Sequence, residues 1–228
     1  MTTGARRIGV VALVLAAGLA GAAGYTWFAK RGERTPAVPD LSEATNAAVP
    51  VVPADQLADT VPAFELVDRA GTARSLGDWR GKALVVNFWA TWCAPCRREI
   101  PLLQKIARER AADGFEVIGI AVDFRDKVLA YADEMGIDYP LLIGEQDALD
   151  AAAAFGVEAI GFPFTIFTDR QGRIVFAQMG ELHEDEAELI LTEVAQVNAG
   201  SRAPAQARAR IEASLTALQH KSPGKNPG

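Results

Sequence analysis

Apolar positions along this chain follow distinct periods in distinct regions. From Ile8 to Ala29, twenty-two consecutive residues carry no charge. At about 1.5 Å per residue, that run reaches across the roughly 30 Å hydrocarbon layer of a bilayer. Arg6 and Arg7 precede it, and Tyr25, Trp27 and Phe28 stand near its far end, where an aromatic belt belongs. Residues 1–29 are therefore expected to form a single N-terminal transmembrane helix. The competing reading is a signal segment cleaved at Ala20-Gly21-Ala22. Both readings export the rest of the chain. Lys30, Arg31 and Arg34 balance the charge that precedes the run, so charge asymmetry orients it only weakly. Residues 30–56 hold Pro36, Pro39, Pro50 and Pro53 with no sustained periodicity and read as a flexible tether. Its root-mean-square span would be about 30 Å.

A different pattern begins near Leu57. Ala63 to Val67 alternates, Arg69-Ala70-Gly71 turns, and Thr72 to Leu76 returns, which predicts an N-terminal β-hairpin. Ala83 to Phe88 is nearly continuous in apolar residues apart from Asn87, as expected of a strand buried on both faces, and Glu116 to Val122 reads as a second. Arg97 to Ala112 has helical spacing, with Cys96, Ile100, Leu103 and Ala107 on one face. Helices are predicted over 127–135, ended by Gly136, over 147–155, ended by Gly156, and over 184–197. Strands over 163–168 and 173–179 are joined by the turn Asp169-Arg170-Gln171-Gly172. Alternating strands and helices, followed by a hairpin and a helix, imply an α/β domain over residues 57–200, with a central mixed β-sheet flanked by helices. Residues 201–228 read as an extension, helical over 204–219 and disordered from Lys221.

Composition narrows the function. Of the 228 residues half are hydrophobic, enough for one sizeable core. Residues 35–200 carry 13 basic and 27 acidic side chains, and so acidic a body argues against a nucleic-acid partner.

The chain has two cysteines, Cys93 and Cys96, within Trp92-Cys93-Ala94-Pro95-Cys96. A four-residue ring is worth roughly 2 kcal/mol of loop entropy, against about 4.7 for a hundred-residue ring. So short a loop suits a bond that opens and closes. The pair follows a buried strand and opens a helix, whose free N–H groups and dipole favour thiolate over thiol. Cys93 would occupy the exposed end and attack a partner disulfide. Cys96, one turn in and more buried, would resolve the mixed disulfide. A structural disulfide or half of a zinc site remain the alternatives. Zinc wants four ligands, however, and only His183 and His220 are available besides the pair, so no metal is expected. Pro163, in Gly161-Phe162-Pro163-Phe164-Thr165, heads a strand and is a plausible cis site.

The stretch from Val86 to Glu99, Pro101 five residues after the second cysteine, and the Gly-x-Pro-x-Thr motif together resemble the membrane-anchored thioredoxin-like reductases of the TlpA/ResA type, relatives of the CcmG/DsbE proteins. The likeness spans roughly residues 58–198. It implies a thioredoxin-like fold with Pro163 cis beside the cysteines, and a substrate segment paired with the backbone of Phe162 by β-augmentation. Phe162 is bulkier than the commoner residues there. Asn87 stands where thioredoxin itself carries a buried aspartate. Glu99 matches a family glutamate that tunes the site, in keeping with a half-buried carboxylate that accepts a thiol's proton. Trp92 would flank Cys93 as a contact surface or fill core, and Pro95 lies between the cysteines. A histidine with two cysteines binds copper in a related fold, but that relative spaces its cysteines one residue further apart.

The expectation is a thiol–disulfide oxidoreductase held at a bacterial inner membrane with its catalytic domain in the periplasm, or soluble there if the signal is cleaved. Its only redox group would be the Cys93–Cys96 pair, with no further cofactor. The resemblance implies a transmembrane electron donor of the DsbD/CcdA kind. It also implies disulfide-bearing exported substrates: apocytochrome c or copper-site assembly proteins. The rivals are an oxidase or isomerase, and a non-catalytic scaffold or thiol metal carrier.

Overall fold

The computed structural model describes residues 56–157 and 161–221. Seven strands form one sheet: β1 (Leu66–Asp68), β2 (Ala73–Arg74), β3 (Ala83–Trp89), β4 (Phe115–Val122), β5 (Leu141–Gly144), β6 (Phe164–Thr168) and β7 (Ile174–Met179). Their spatial order is β2-β1-β5-β4-β3-β6-β7. The central β3, β4 and β5 are parallel, and the outer strands join them antiparallel, making the sheet mixed. Every residue of β3 is buried, as its unbroken apolar run requires.

Alternation along β3 sorts the core into two layers. Ala83, Val85 and Trp89 face one cluster, built by α1 (Ala94–Glu109), α2 (Arg125–Met135), α4 (Glu184–Asn198) and α5 (Pro204–Lys221). Leu84, Val86 and Phe88 face the other, closed by α3 (Gln146–Ala154) and Phe155. Gly136 ends α2 in the left-handed conformation, as its place in the sequence suggests. Gly156 is fixed differently. A Cβ there would lie 1.8 Å from the carbonyl oxygen of Gln56, so only glycine lets the incoming chain pass.

The structure differs from the sequence reading at several places. The hairpin forms, but its first strand starts at Leu66 rather than Ala63, and its return is two residues long before a 3-10 turn over Leu76–Trp79. Strand β5 is absent from the sequence reading. At four residues, after Tyr139-Pro140, it is too short to show a period, yet it carries β1 and β2 onto the sheet. Helix α1 begins at Ala94, three residues before the spacing alone indicates, and ends at Glu109. The expected transmembrane segment, residues 1–29, lies outside the described residues, as do the tether up to residue 55 and the tail beyond 221. Among the described residues no helix is long and apolar enough to cross a membrane.

Helix α5 docks on the domain. Ala207, Ile211 and Leu215 enter the first core layer. The Arg208 guanidinium donates to the carbonyls of Val175 (3.1 Å) and Ile174 (3.0 Å) on the edge strand β7. Glu193 of α4 takes Arg202 and Arg210. Ile211→Ala, which empties a fully buried site, should destabilise the whole domain by about 2–5 kcal/mol in chemical denaturation. A loose appendage would leave the midpoint unchanged.

Candidate active site

Strand β3 delivers the chain to the cysteines, and α1 begins directly after Cys93. Cys93 is the N-cap of α1, and its Sγ accepts the backbone N–H of Cys96 at 3.3 Å. The first turn holds Pro95 and no carboxylate. The helix terminus favours negative charge on that sulfur, while Arg98 is paired with Glu181 and Arg97 donates to the Tyr131 hydroxyl. The two sulfurs form a disulfide of 2.01 Å with Cα atoms 5.3 Å apart.

Cys93 is 5% exposed and Cys96 is fully buried. The expected order holds, but Cys93 is far less open than a helix end alone implies. Trp92 beside it is 69% exposed, which settles Trp92 as surface rather than core. Its ring meets Phe162 edge to face, with centroids 6.1 Å apart, and Phe162 stacks on Phe164 at 6.3 Å. The peptide bond between Phe162 and Pro163 is cis. This aromatic contact joins the cysteine loop to the cis-proline loop. Thr91, just before Trp92, donates its hydroxyl to Asp123 at the end of β4, holding a third loop in place.

Beneath the cysteines lies a buried carboxyl. Glu99 sits three residues after Cys96, on the neighbouring row of α1. It is 1% exposed, so the half-buried position expected from sequence is corrected to a fully buried one: the loop ahead of α4 covers it. Asn87 Nδ2 donates to Glu99 Oε1 at 2.7 Å, and the Leu182 N–H donates to Oε2 at 2.7 Å. Asn87 Nδ2 also reaches Thr165 Oγ1 at 3.0 Å. Burial raises the Glu99 carboxyl from 4.5 to about 7 against these two hydrogen bonds, with Glu181 adding to the rise. Near it, burial first and the Glu99 charge second push the Tyr139 phenol far above its ordinary range. Tyr139 Oη, Trp89 Nε1 and Asn87 Oδ1 are buried without a partner among the described residues.

The structure thus gathers Cys93, Cys96, Pro95 and Trp92 on the loop and first turn of α1, Phe162 and Pro163 beside them, and Asn87 and Glu99 below. Sequence reasoning passed over Thr165, Tyr139 and the Leu182 amide. Thr165 lies within the Gly-x-Pro-x-Thr motif, while Tyr139 and Leu182 carry no local signal. His183 is the N-cap residue of α4, and its backbone N–H donates to the Glu186 carboxylate at 3.1 Å, a structural task. Among the described residues no three His, Cys, Asp or Glu side chains converge as a metal site.

Fold and site together define a thioredoxin-like protein whose helix-capping cysteine pair faces a cis-proline loop. The chain belongs to the AhpC/TSA family, matched over residues 57–177. It is 34% identical over 116 residues to the thiol-disulfide oxidoreductase ResA of Geobacillus thermodenitrificans, an alignment that covers 50% of this chain and 64% of that protein. It is 34% identical over 131 residues to the thioredoxin-like protein YneN of Bacillus subtilis, covering 56% and 74% respectively. Among solved structures, a secreted thiol-disulfide isomerase from Corynebacterium glutamicum superimposes with a TM-score of 0.55 at 29% identity, over 60% of this chain and 85% of that one.

The raised Glu99 carboxyl links stability to pH. The folded protein holds this proton more tightly than the unfolded chain does, so between about pH 4.5 and 7 the folded state keeps a proton the unfolded state has lost. Stability falls as pH rises through that window, by about 3 kcal/mol, and levels off above it. Glu99→Gln should flatten this slope in denaturation midpoints measured from pH 4 to 8. A slope equal to that of the parent would place the titration elsewhere.

Proposed function

We propose that the chain is an exported thiol–disulfide oxidoreductase that works as a reductase. The observation that carries this reading is the Cys93–Cys96 disulfide at the N-terminus of α1. The relatives named thiol-disulfide oxidoreductases support it. In the reduced enzyme the Cys93 thiolate attacks a substrate disulfide. A mixed disulfide forms and one substrate thiolate leaves, to be protonated. Cys96 passes its proton to Glu99 and attacks Cys93 Sγ. The second substrate thiolate leaves, and the two electrons of the dithiol now reside on the substrate. Glu99 suits this step because a carboxyl titrating at about 7 exchanges protons readily at neutral pH.

Regeneration needs two electrons from outside the protein, and a membrane donor of the DsbD/CcdA kind supplies them by thiol exchange. The substrates are disulfides of exported proteins, apocytochrome c or copper-site assembly proteins, held in extended form against the Phe162 backbone. The uncharged run 8–29 anchors the domain at the inner membrane and the Pro-rich segment tethers it in the periplasm. The name of the Corynebacterium protein favours a second reading, an isomerase.

Cys96→Ala should accumulate mixed disulfides with substrates on non-reducing gels, while Cys93→Ala should accumulate none. The reverse pattern would exchange the two roles. Acid-quenched cells treated with a thiol-tagging reagent should show the pair mostly reduced. A mostly oxidised pair would withdraw the reductase direction in favour of the isomerase or oxidase.

A further inference from the structure

At the end of the domain away from the cysteines, the start of β3 borders a cavity of about 780 Å3. Its walls come from residues 60–65 ahead of β1, from the stretch 75–82 around the 3-10 turn, and from residues 170–172 in the β6–β7 hairpin. Strand β3 runs seven residues from this cavity towards the dithiol, so the two sites are separated by roughly 20 Å.

The lining combines an apolar floor with unneutralised positive charge. Phe64, Leu76 and Trp79 give the floor, and Arg80, Lys82 and Arg170 stand on the rim against Glu65 alone. Elsewhere on the domain Arg97 donates to the Tyr131 hydroxyl and Arg125 and Arg208 donate to backbone carbonyls, while Arg69, Arg74, Arg98, Arg108, Arg110 and Arg173 meet carboxylates. Among the described residues Arg80, Lys82 and Arg170 do not. Arg170 Nη2 donates to the Asp113 carbonyl at 2.8 Å, which fixes the side chain and leaves its charge in place. Arg74 covers Trp79 at 5.7 Å from the ring centroid while paired with Asp68 and Asp78, so that cation is already balanced and holds the indole.

We infer that this cavity binds an amphipathic phosphate ester, its phosphate among Arg80, Lys82 and Arg170 and its apolar body against Phe64 and Trp79. The volume falls within the range of small-molecule sites. Two guanidinium forks and an ammonium match the several oxygens of a phosphate dianion. An apolar body is needed to cover the floor, so phosphate alone uses half of the site. The same chemistry occurs in a free phosphate ester and in an anionic lipid headgroup. The inference does not depend on the redox reading, because no residue of the cysteine site lines the cavity.

The test is hydrogen exchange on the full chain reconstituted in phosphatidylcholine vesicles, followed at residues 60–65 and 76–82. Millimolar phenyl phosphate should slow exchange in both stretches several-fold, and inorganic phosphate or phenol at the same concentration should not. Arg80→Glu with Lys82→Glu should abolish the protection and leave disulfide reduction unchanged. If that variant loses cooperative unfolding, Lys82→Gln should still weaken it. Protection reproduced by phosphatidylglycerol in the vesicles assigns a lipid headgroup, and protection by the soluble ester alone assigns a free ligand. Protection by neither, equal protection by inorganic phosphate (an adventitious anion only), or protection undiminished in the variants would overturn the inference.

Discussion

A carboxyl buried between a helix and a sheet is costly unless it is neutral or well bonded. Glu99 is held at that boundary. Its two oxygens each take one donor, from the Asn87 amide and the Leu182 backbone, and among the described residues no cation pairs with it. Two hydrogen bonds are too few to keep the group ionised through the acid range and enough to stop it staying neutral at all pH. The result is a carboxyl poised at about 7. Its position also ties three parts of the fold together, since β3 supplies Asn87, α1 supplies the carboxyl, and the loop before α4 supplies the amide. The depth of Cys96 follows from the same packing, because both residues lie where α1 meets the sheet.

The proposed division of labour between the cysteines rests on depth and helix geometry. Cys93 occupies the cap, where backbone N–H groups converge and the first turn holds no carboxylate. Cys96 has no exposed surface, so in the proposed cycle its proton needs an internal acceptor. Glu99, buried three residues further along α1, is the acceptor we propose. The exposed Trp92 and partly covered Phe162 form the rim over the pair, joined edge to face. In the proposed cycle an incoming polypeptide meets aromatic surface first and sulfur second.

Much of this was legible in the sequence because the signals are local. The apolar runs of β3 and β4, the helical spacing after Cys96 and the turn at Asp169–Gly172 each lie within a few residues. The short spacing of the cysteines marks redox chemistry without any knowledge of the fold. What escaped is non-local. Strand β5 is too short to show a period and exists because β4 and β1 flank it. Full burial of Glu99 depends on a chain segment more than eighty residues away. Its charge-bearing position on the edge of an apolar helix face looked half exposed for that reason. The docking of α5 depends likewise on the uncovered face of α4 and the edge of β7.

The most direct measurement is a carbon NMR titration of the Glu99 side-chain carboxyl in the oxidised protein. A midpoint near 7 is expected, with a single proton lost. A midpoint at the ordinary value near 4.5 would mean that water or an unrecognised donor stabilises the charge. Glu99 would then be ionised throughout the neutral range and unsuited to exchange a proton with Cys96.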